Sequence, residues 1–373
     1  QRQMCIRDSI FPIRRVYMID LQNQLLYLHP CYDTILTLNN MKMKRLKVLL
    51  LSLTAPLMLA SCLDTGGSSG SGVSETIMNG ISLYNSGLAQ SVYSLDPTSV
   101  AFRLNALLTD REKQGVTTLD EVRTEAGNNE YKYLFGSTII EEDYRGVPGD
   151  YLLTFAYTET TGQYDRKRDG SILISTGGHL LSELAETGGM WVIDLNRENG
   201  FYYPVEASGA TLITVEGAED YTISASDDGQ GFNIDIKNFR SFILSNYTSN
   251  WTANYQLATT GATDFALSDL KKITFKLSGR GSGPTMYDLY GTQANLIYQI
   301  SESVVYRPDC GVGSDGSVYK YSGEERVSFI EGSVYDQTQF PSSFVTVKFM
   351  PTSESCNMSV PITITYNGEV YTL

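Results

Sequence analysis

The stretch VPITITYNGEVYTL, residues 360–373, predicts the architecture of this chain more clearly than any other segment. Two short runs in it alternate branched or aromatic side chains with polar ones, which is the period of a strand with one buried face. Asn367 and Gly368 separate the two runs. Asn-Gly is a pair that tight hairpin turns prefer, because both residues tolerate a positive φ. The segment therefore predicts an antiparallel β-hairpin.

The same alternation recurs toward the N-terminus in short segments rich in Tyr, Phe, Ile, Val and Thr. Turn dipeptides such as Asp228-Gly229 separate them, and no helical pattern intervenes, which favours antiparallel pairing. The predicted fold class is mainly β with a short N-terminal α-helical segment. The antiparallel sheets are expected to form a sandwich-like arrangement, and the sequence does not decide between one and two β subdomains. The predicted strands are DYLLTFAYTET, GSILIST, MWVIDL, ATLITVE, DYTISAS, GFNIDI, SFILSNYT, WTANYQLA, KITFKLSG, NLIYQIS, SVYKYS, ERVSFIEG, SFVTVKFM and VPITITYNG.

Helical periodicity precedes the strands, in residues 76–130. Asp96 and Pro97 offer an N-cap and a first-turn proline, so they predict that a second helix begins there. Thr118 with Glu121 resembles a capping box at the start of a third helix. The strand-rich remainder divides at the polar segment 259–264 into regions 131–262 and 263–373. Trp191 and Trp251 each lie inside a strand-like run, which favours a place in the core over a ligand contact.

A basic and then apolar segment, residues 41–61, ends at Cys62. The apolar run VLLLSLTAPLMLA, residues 48–60, is shorter than the roughly 20 residues that a transmembrane helix needs. Basic residues before it and small residues at its end are typical of a secretory signal peptide. Leu59-Ala60-Ser61-Cys62 also resembles the lipobox of bacterial lipoproteins. That resemblance implies lipidation of the Cys62 thiol, cleavage before this residue and anchoring to a membrane without a transmembrane helix.

Residues 1–40 are predicted to be non-native read-through, because a signal peptide begins at the N-terminus and Met41 or Met43 would then be the true start. The heptapeptide QMCIRDS, residues 3–9, resembles a translated sequencing adapter. Residues 62–75 are rich in Gly and Ser and predict a flexible linker between the anchor and the folded part. The fold is therefore expected to begin near residue 76.

The chain carries 28 Lys and Arg against 42 Asp and Glu, a net charge of −14. Such a surface repels phosphate backbones, so nucleic acid is not expected as a partner. The predicted partner is instead the membrane through Cys62, with a glycan or protein ligand of unknown identity. The predicted location is the envelope of a Gram-negative bacterium, as an outer-membrane lipoprotein on either the periplasmic face or the cell surface.

Cys310 and Cys356 are the remaining cysteines of the exported part, and an oxidising compartment favours a disulfide between them. Two buried thiols or half a zinc site are the alternatives. His179 is the one histidine after the signal peptide, and its Gly-rich surroundings indicate a turn more than a catalytic base. No cofactor, metal ligand or catalytic residue is predicted. A linker or a turn explains more simply the near-matches GGSSG at 66–70, SDLK at 268–271, and the Asp-Gly turns at 227–229 and 313–316. The acids at 141–143 could supply a carboxylate for glycoside hydrolysis, but the acids of this chain are so dispersed that any one pair is uninformative.

The sequence thus favours a non-enzymatic binding or structural module on a lipid anchor. The first alternative is a fimbrial or adhesin subunit, since some pilins are lipoprotein precursors with β-sandwich domains. A second alternative is a protein that acts on or binds glycans. A concave cleft with two facing carboxylates and exposed aromatic side chains would favour an enzyme that acts on glycans, whereas a flat, closed surface would favour a binding or structural module.

Overall fold

The protein is represented by a computed structural model that describes residues 73–125, 138–155, 168–196, 200–204, 211–243, 247–260, 274–286, 293–307, 320–351 and 361–372. The signal peptide, Cys62, Cys310, Cys356, the turn at 313–316 and residues 268–271 lie outside this part of the chain. The fold begins with a long helix, and strands make up most of the rest.

Helix α1 spans Glu75–Gln114 and has a defined cap at each end. The Ser74 hydroxyl accepts a hydrogen bond from the Ile77 amide at 3.1 Å, and Gly115 ends the helix with a φ of 69°. Helix α2, Leu119–Glu125, follows directly. The predicted capping box is confirmed, because the Glu121 amide donates to Thr118 Oγ1 at 3.2 Å and the Thr118 amide donates to Glu121 Oε2, also at 3.2 Å.

The prediction that a new helix begins at Asp96-Pro97 is wrong, because α1 continues through Pro97. Proline removes the amide that would bond the Tyr93 carbonyl and disturbs the turn around it. Hydroxyl groups from the sheet replace these bonds. Tyr203 Oη lies 3.3 Å from the Tyr93 carbonyl, and Tyr221 Oη accepts from the Thr98 amide at 3.2 Å while donating to the Ser94 carbonyl at 2.7 Å. The sheet therefore supports the helix at the residue that would otherwise break it.

Fifteen described strands form one sheet in which every pairing is antiparallel. The strands are β1 Ile139–Glu142, β2 Asp150–Phe155, β3 Asp169–Ser175, β4 Met190–Asp194, β5 Phe201–Pro204, β6 Thr211–Gly217, β7 Asp220–Ala225, β8 Gly231–Ile243, β9 Tyr247–Thr260, β10 Thr274–Met286, β11 Gln293–Tyr306, β12 Lys320–Phe329, β13 Phe344–Phe349, β14 Ile362–Tyr366 and β15 Glu369–Thr372. A short helix, α3 (Leu184–Thr187), lies between β3 and β4.

The hydrogen-bonded path runs β1-β2-β3-β4-β7 and then in sequence order from β8 to β15, while β5 and β6 form a branch between β3 and β8. The predicted mainly β, antiparallel fold is confirmed. The layer that faces the sheet is a helix, since α1 contacts every strand from β8 to β15. Strands β9 and β10, on either side of the predicted boundary at residue 262, pair with each other in this single sheet.

Helix α1 lies against one face of the sheet, and much of its surface is buried there. Leu83, Leu104 and Leu107 are completely enclosed, as are Trp191 and Trp251 on the sheet, which confirms the predicted core role of both tryptophans. Gly80 and Gly87 weaken the helical pattern in sequence, and the packing explains them. A Cβ atom at Gly80 would lie 2.6 Å from Tyr366 Cγ, and one at Gly87 would lie 2.7 Å from Val327 Cγ1.

The terminal hairpin is confirmed, with β14 and β15 joined through Asn367 and Gly368. Their φ angles are 50° and 80°, and positive values at both central residues are what a tight turn of this hand requires. Asp228-Gly229 likewise forms the turn between β7 and β8, with a φ of 65° at the glycine. These two turns confirm the turn positions that the Asn-Gly and Asp-Gly pairs predict.

Candidate functional site

An irregularity in β8 creates the most distinctive surface feature of the sheet. Ile234 and Ile236 point into the core, but the next buried residue is Phe239, so the alternation slips by one position. The pairing with β9 shifts at the same point, between Ile236 and Phe239, which is a β-bulge. Asn238, at the bulge, has a φ of 51°, in the left-handed region that asparagine tolerates better than most residues. The bulge turns a polar side chain out beside a strand that is otherwise regular.

The sheet forks at this bulge. The first half of β8, residues 232–237, pairs with β7, and the second half, residues 240–243, pairs with β6. The turn that joins β6 to β7 lies in the opening of the fork. Gly217, the last residue of β6 before that turn, has a φ of 140°, and a Cβ atom there would lie 1.6 Å from Asn196 Oδ1. Glycine is thus required at this position because the Asn196 amide packs directly on the backbone.

We call the resulting depression the fork cleft. It has a volume of about 520 Å³ and is wide open to solvent. Five of the described lining side chains are polar, and the described part of the lining consists of Asn196, Ala218, Glu219, Asn238, Arg240 and Asn250. This size falls within the range typical of small-molecule sites, roughly 300–1,000 Å³.

Hydrogen bonds hold two of the amides in the fork cleft in place. Asn196 Nδ2 donates to the Ala218 carbonyl at 3.0 Å, and Asn238 Nδ2 donates to the Glu219 carboxylate. The hydrogen bond from Asn238, together with Lys237 beside it, lowers the pKa of Glu219 below its usual value, so this carboxylate stays ionised. The amides are therefore oriented before any ligand arrives.

One side chain in the fork cleft is left for a ligand. The Arg240 side chain is exposed and has no side-chain partner among the described residues. Asn250 Oδ1 also accepts no hydrogen bond within the same part of the chain, but this atom is buried and therefore out of reach of a ligand in the open cleft. Neither residue was predicted from the sequence as part of a site.

A second, shallower depression of about 450 Å³ lies beside α3 and includes the predicted Asp227-Asp228-Gly229 turn. Asp228 accepts hydrogen bonds from Ser226 Oγ at 2.6 Å and from the Gln230 amide at 3.0 Å. The Ser226 hydroxyl, followed by the Gln230 amide, lowers the pKa of Asp228. These contacts define an Asx turn and confirm the simpler interpretation of this sequence. Within the described ranges, no group of three or more acidic, histidine or cysteine side chains could hold a metal ion.

The other sequence candidates occupy structural positions. His179 is partly exposed, and its ring lies 3.8 Å from Glu183, while its carbonyl accepts from Trp191 Nε1 at 2.9 Å. Glu142 accepts from Arg111 and from the Leu119 amide, both at 2.8 Å, and so joins β1 to the start of α2. These contacts give His179 and Glu142 roles in the fold, and neither residue lines the fork cleft.

A buried carboxylate lies on the helix side of the sheet, far from any of the depressions described. Glu325 is fully buried and accepts from the Tyr84 hydroxyl and, at 2.6 Å, from Lys320 Nζ. Burial, and then the negative charge of Glu325, raises the pKa of Tyr84 and of Tyr298 well above the usual value. Because both carboxylate oxygens are engaged inside the core, we interpret this cluster as structural.

Alkaline titration should report on these buried tyrosines. Burial raises the pKa of Tyr255 to about 12, whereas an unfolded tyrosine titrates near 10. Their contribution to stability is therefore complete below about pH 10 and is lost as the pH rises toward the folded-state value. We expect phenolate absorbance to rise in two phases, the second coinciding with cooperative loss of circular dichroism above about pH 10. A single smooth rise without unfolding would contradict this.

No family model, curated protein or solved structure matches this chain. Among the residues that the structure describes, no helix is both long enough and apolar enough to span a membrane.

Proposed function

We propose that this chain is a membrane-anchored, non-enzymatic binding module of a Gram-negative cell envelope, held by lipidated Cys62, with the fork cleft as its ligand site. Outer-membrane attachment and a disulfide between Cys310 and Cys356 are parts of the same proposal. The sequence supports the anchor through the lipobox resemblance described above. The fold supports the binding role through the geometry of the fork cleft.

The observation that carries the proposal is the chemistry of the cleft lining. It presents an exposed guanidinium, Arg240, beside polar side chains that suit a polar ligand, namely Asn196, Glu219, Asn238 and Asn250. Glu219 is the one carboxylate among the lining residues that the structure describes. Glycoside hydrolysis ordinarily needs a second carboxyl group across the sugar, so this lining favours binding over hydrolysis.

The position of α1 favours a binding module over the fimbrial alternative. Subunits that assemble by donor-strand complementation accept a strand from a neighbour into an incomplete sheet. Here α1 lies against strands β8 to β15, and more than half of its residues are buried. The helix therefore supplies the packing that a donor strand would otherwise bring.

Palmitate labelling tests the anchor. Expressed from Met43 in a bacterium that processes lipoproteins, the chain should incorporate palmitate and partition into membranes, and Cys62→Ala should abolish both. Ser61→Ala is the matched control, because it keeps a small residue before the cysteine and should label normally. Labelling that persists in Cys62→Ala would overturn the anchor.

Site-specific photo-crosslinking in the source bacterium tests the binding role. A photoreactive amino acid in place of Lys237, whose ammonium lies 3.4 Å from Glu219 at the rim of the cleft, should yield a covalent adduct. The same amino acid in place of Arg280, an exposed arginine on β10, is the control and should yield none. Equal adducts at both positions, or none at either, would count against the fork cleft as a binding site.

A further inference from the structure

We propose that the end of the fold where α1 begins rests on the lipid bilayer, with exposed apolar side chains in contact with the lipid. This surface, which we call the anchor end, presents Met78, Val334, Phe344 and Val370. The proposal rests on the lipid anchor of the proposed function and adds the face of the fold that the membrane meets. It follows from where the chain enters the fold, from which residues share that end and from their exposure.

The chain enters the fold at the anchor end. Val73, the first described residue, packs against the core, and Ser74 caps the first turn of α1. Residues 62–72 lead from Cys62 to this point, and eleven residues reach at most about 40 Å. A chain rich in Gly and Ser of this length has a typical end-to-end distance of about 17–20 Å. A lipidated Cys62 would therefore keep the anchor end close to the bilayer.

Strand β15 reaches the anchor end with its first residues. The Ser74 hydroxyl donates to the Glu369 carboxylate, and Val370 follows directly along β15. In the pairing register Val370 is opposite Thr365, whose neighbour Ile364 is buried in the core. Because side chains alternate along a strand, Thr365 and Val370 point away from the core. The Val370 side chain is accordingly left 66% exposed.

The connection from β12 to β13, residues 330–343, lies at the same end. Its Gln339 carbonyl accepts from Asn79 Nδ2 of α1 at 2.9 Å, which holds it beside the first turns of the helix. Val334 belongs to this connection and is 90% exposed, the highest value among the exposed large apolar side chains in the described part of the chain. Phe344 begins β13 directly after the connection and is also exposed.

The bilayer is the partner that this placement favours. Met78, Val334, Phe344 and Val370 come from a helix, a connection and two strands, so they project from separate elements. Lipid is fluid and adapts to separate projections, whereas a protein partner needs a closely packed, complementary patch. Apolar side chains gain free energy when they leave water for the interfacial layer of a membrane. The anchor holds these side chains within reach of such a layer.

Acidic side chains limit how deeply the anchor end enters the bilayer. Glu75, Glu331 and Glu369 are exposed there. Carboxylates are costly to move into hydrocarbon, but they can pair with the ammonium groups of zwitterionic lipids at the head-group level. We therefore expect the apolar side chains to enter only the interfacial layer, and the lipid on Cys62 to supply most of the affinity.

Fluorescence quenching by brominated lipid tests the proposal on the full lipidated chain. The protein is expressed from Met43, purified from membranes and placed in vesicles of phosphatidylcholine with brominated acyl chains. Trp191 and Trp251 are completely buried, so a tryptophan added at the surface reports on contact with lipid. Val334→Trp and Val370→Trp should each lose about half of the added fluorescence, and their emission should shift to shorter wavelength.

Val147→Trp is the matched control, because Val147 is an exposed valine at the opposite end of the fold. It follows β1, whose Glu142 binds Arg111. Arg111 lies near the end of α1, about 55 Å along the helix from Ser74. The fluorescence added by Val147→Trp should therefore stay unquenched.

Equal quenching in Val147→Trp, or none in Val334→Trp and Val370→Trp, would overturn the proposal. A shift to shorter wavelength without quenching by bromine would indicate contact with protein, such as a second copy of the chain, and would overturn it as well. Thermal melting shows whether each variant folds, and the two anchor-end positions test the proposal independently. Palmitate labelling of the same preparations separates the two proposals. If Cys62 is not labelled, the anchor is wrong, whereas labelling without quenching shows that only the membrane-facing surface is wrong.

Discussion

Replacing Arg168 with methionine is expected to lower the free energy of unfolding by about 3–5 kcal/mol. Arg168 binds Asp96 through two hydrogen bonds, from Nε at 2.7 Å and from a terminal nitrogen at 2.8 Å. The two side chains are only 3% and 6% exposed, so water cannot solvate a carboxylate left behind. Tyr203 Oη lies 3.0 Å from the same carboxylate but cannot neutralise it. The Asp96 carboxylate would then be buried and without its cation next to Pro97, the residue that lacks an amide for the helical hydrogen bond of α1.

Urea unfolding followed by circular dichroism measures this loss. The matched control is Arg111→Met, whose ion pair with Glu142 is about a quarter exposed and should cost at most about 1 kcal/mol. The double variant Asp96→Leu with Arg168→Met should recover much of the stability, because an apolar pair leaves no buried charge. Equal losses in Arg168→Met and Arg111→Met would show that burial of the ion pair is unimportant.

Removing the predicted disulfide, by Cys310→Ser with Cys356→Ser, is expected to cost about 2–4 kcal/mol. Neither cysteine lies in the described residues, but the strands around them do. Cys310 is in the connection from β11 to β12, and Cys356 is in the connection from β13 to β14. In the pairing register Tyr306 is opposite Lys320, and Phe349 is opposite both Gly323 and Ile362. Both connections therefore lie at the same end of the sheet, and the neighbouring strands β12 and β13 are about 5 Å apart.

The predicted pairing requires both connections to lie at the same end of the sheet, because a disulfide needs Cα atoms about 4.4–6.8 Å apart. The bond would hold the connection before the terminal hairpin, and we expect protection from hydrogen exchange to be lost first in residues 359–373. The measurement compares oxidised and reduced protein, both carrying Cys62→Ala and expressed from Met43. Free thiols in the oxidised preparation, or equal exchange of β14 and β15 in both states, would show that no such bond stabilises the hairpin.

Much of the sheet can be predicted from sequence because its signals are local. The alternation in ITITY and the pair Asn367-Gly368 depend on neighbouring residues alone, and so does the capping box of Thr118 and Glu121. The course of α1 cannot be predicted in this way. A proline within a helix is tolerated here because Tyr203 and Tyr221, more than a hundred residues away, replace the missing bonds.

The fork cleft likewise has no spacing motif, since its residues come from four separate strands and turns. One local signal could have revealed part of it. In FNIDIKNFRSF, residues 232–242, the apolar alternation changes phase between Ile236 and Phe239. The sequence analysis therefore predicts two strands here, GFNIDI and SFILSNYT, where the structure has the single strand β8. A phase change inside a continuous strand indicates a β-bulge, and an asparagine at that point suits the left-handed backbone. The pairing of β7 and β6 with the two halves of β8 cannot be predicted from this segment, because it depends on the whole sheet.

The position of α1 has a consequence for how the chain folds. Its partners lie far along the chain: Tyr84 bonds Glu325 across 241 residues, and Ser74 bonds Glu369 across 295. Contacts of such long range are typical of slow folding, because loops must close before the contacts that stabilise them can form. A chain that leaves a secretion channel N-terminus first would present α1 to water, with its apolar surface uncovered, until the last strands emerge. The interval between synthesis of the helix and arrival of β15 is then the period when aggregation competes with folding.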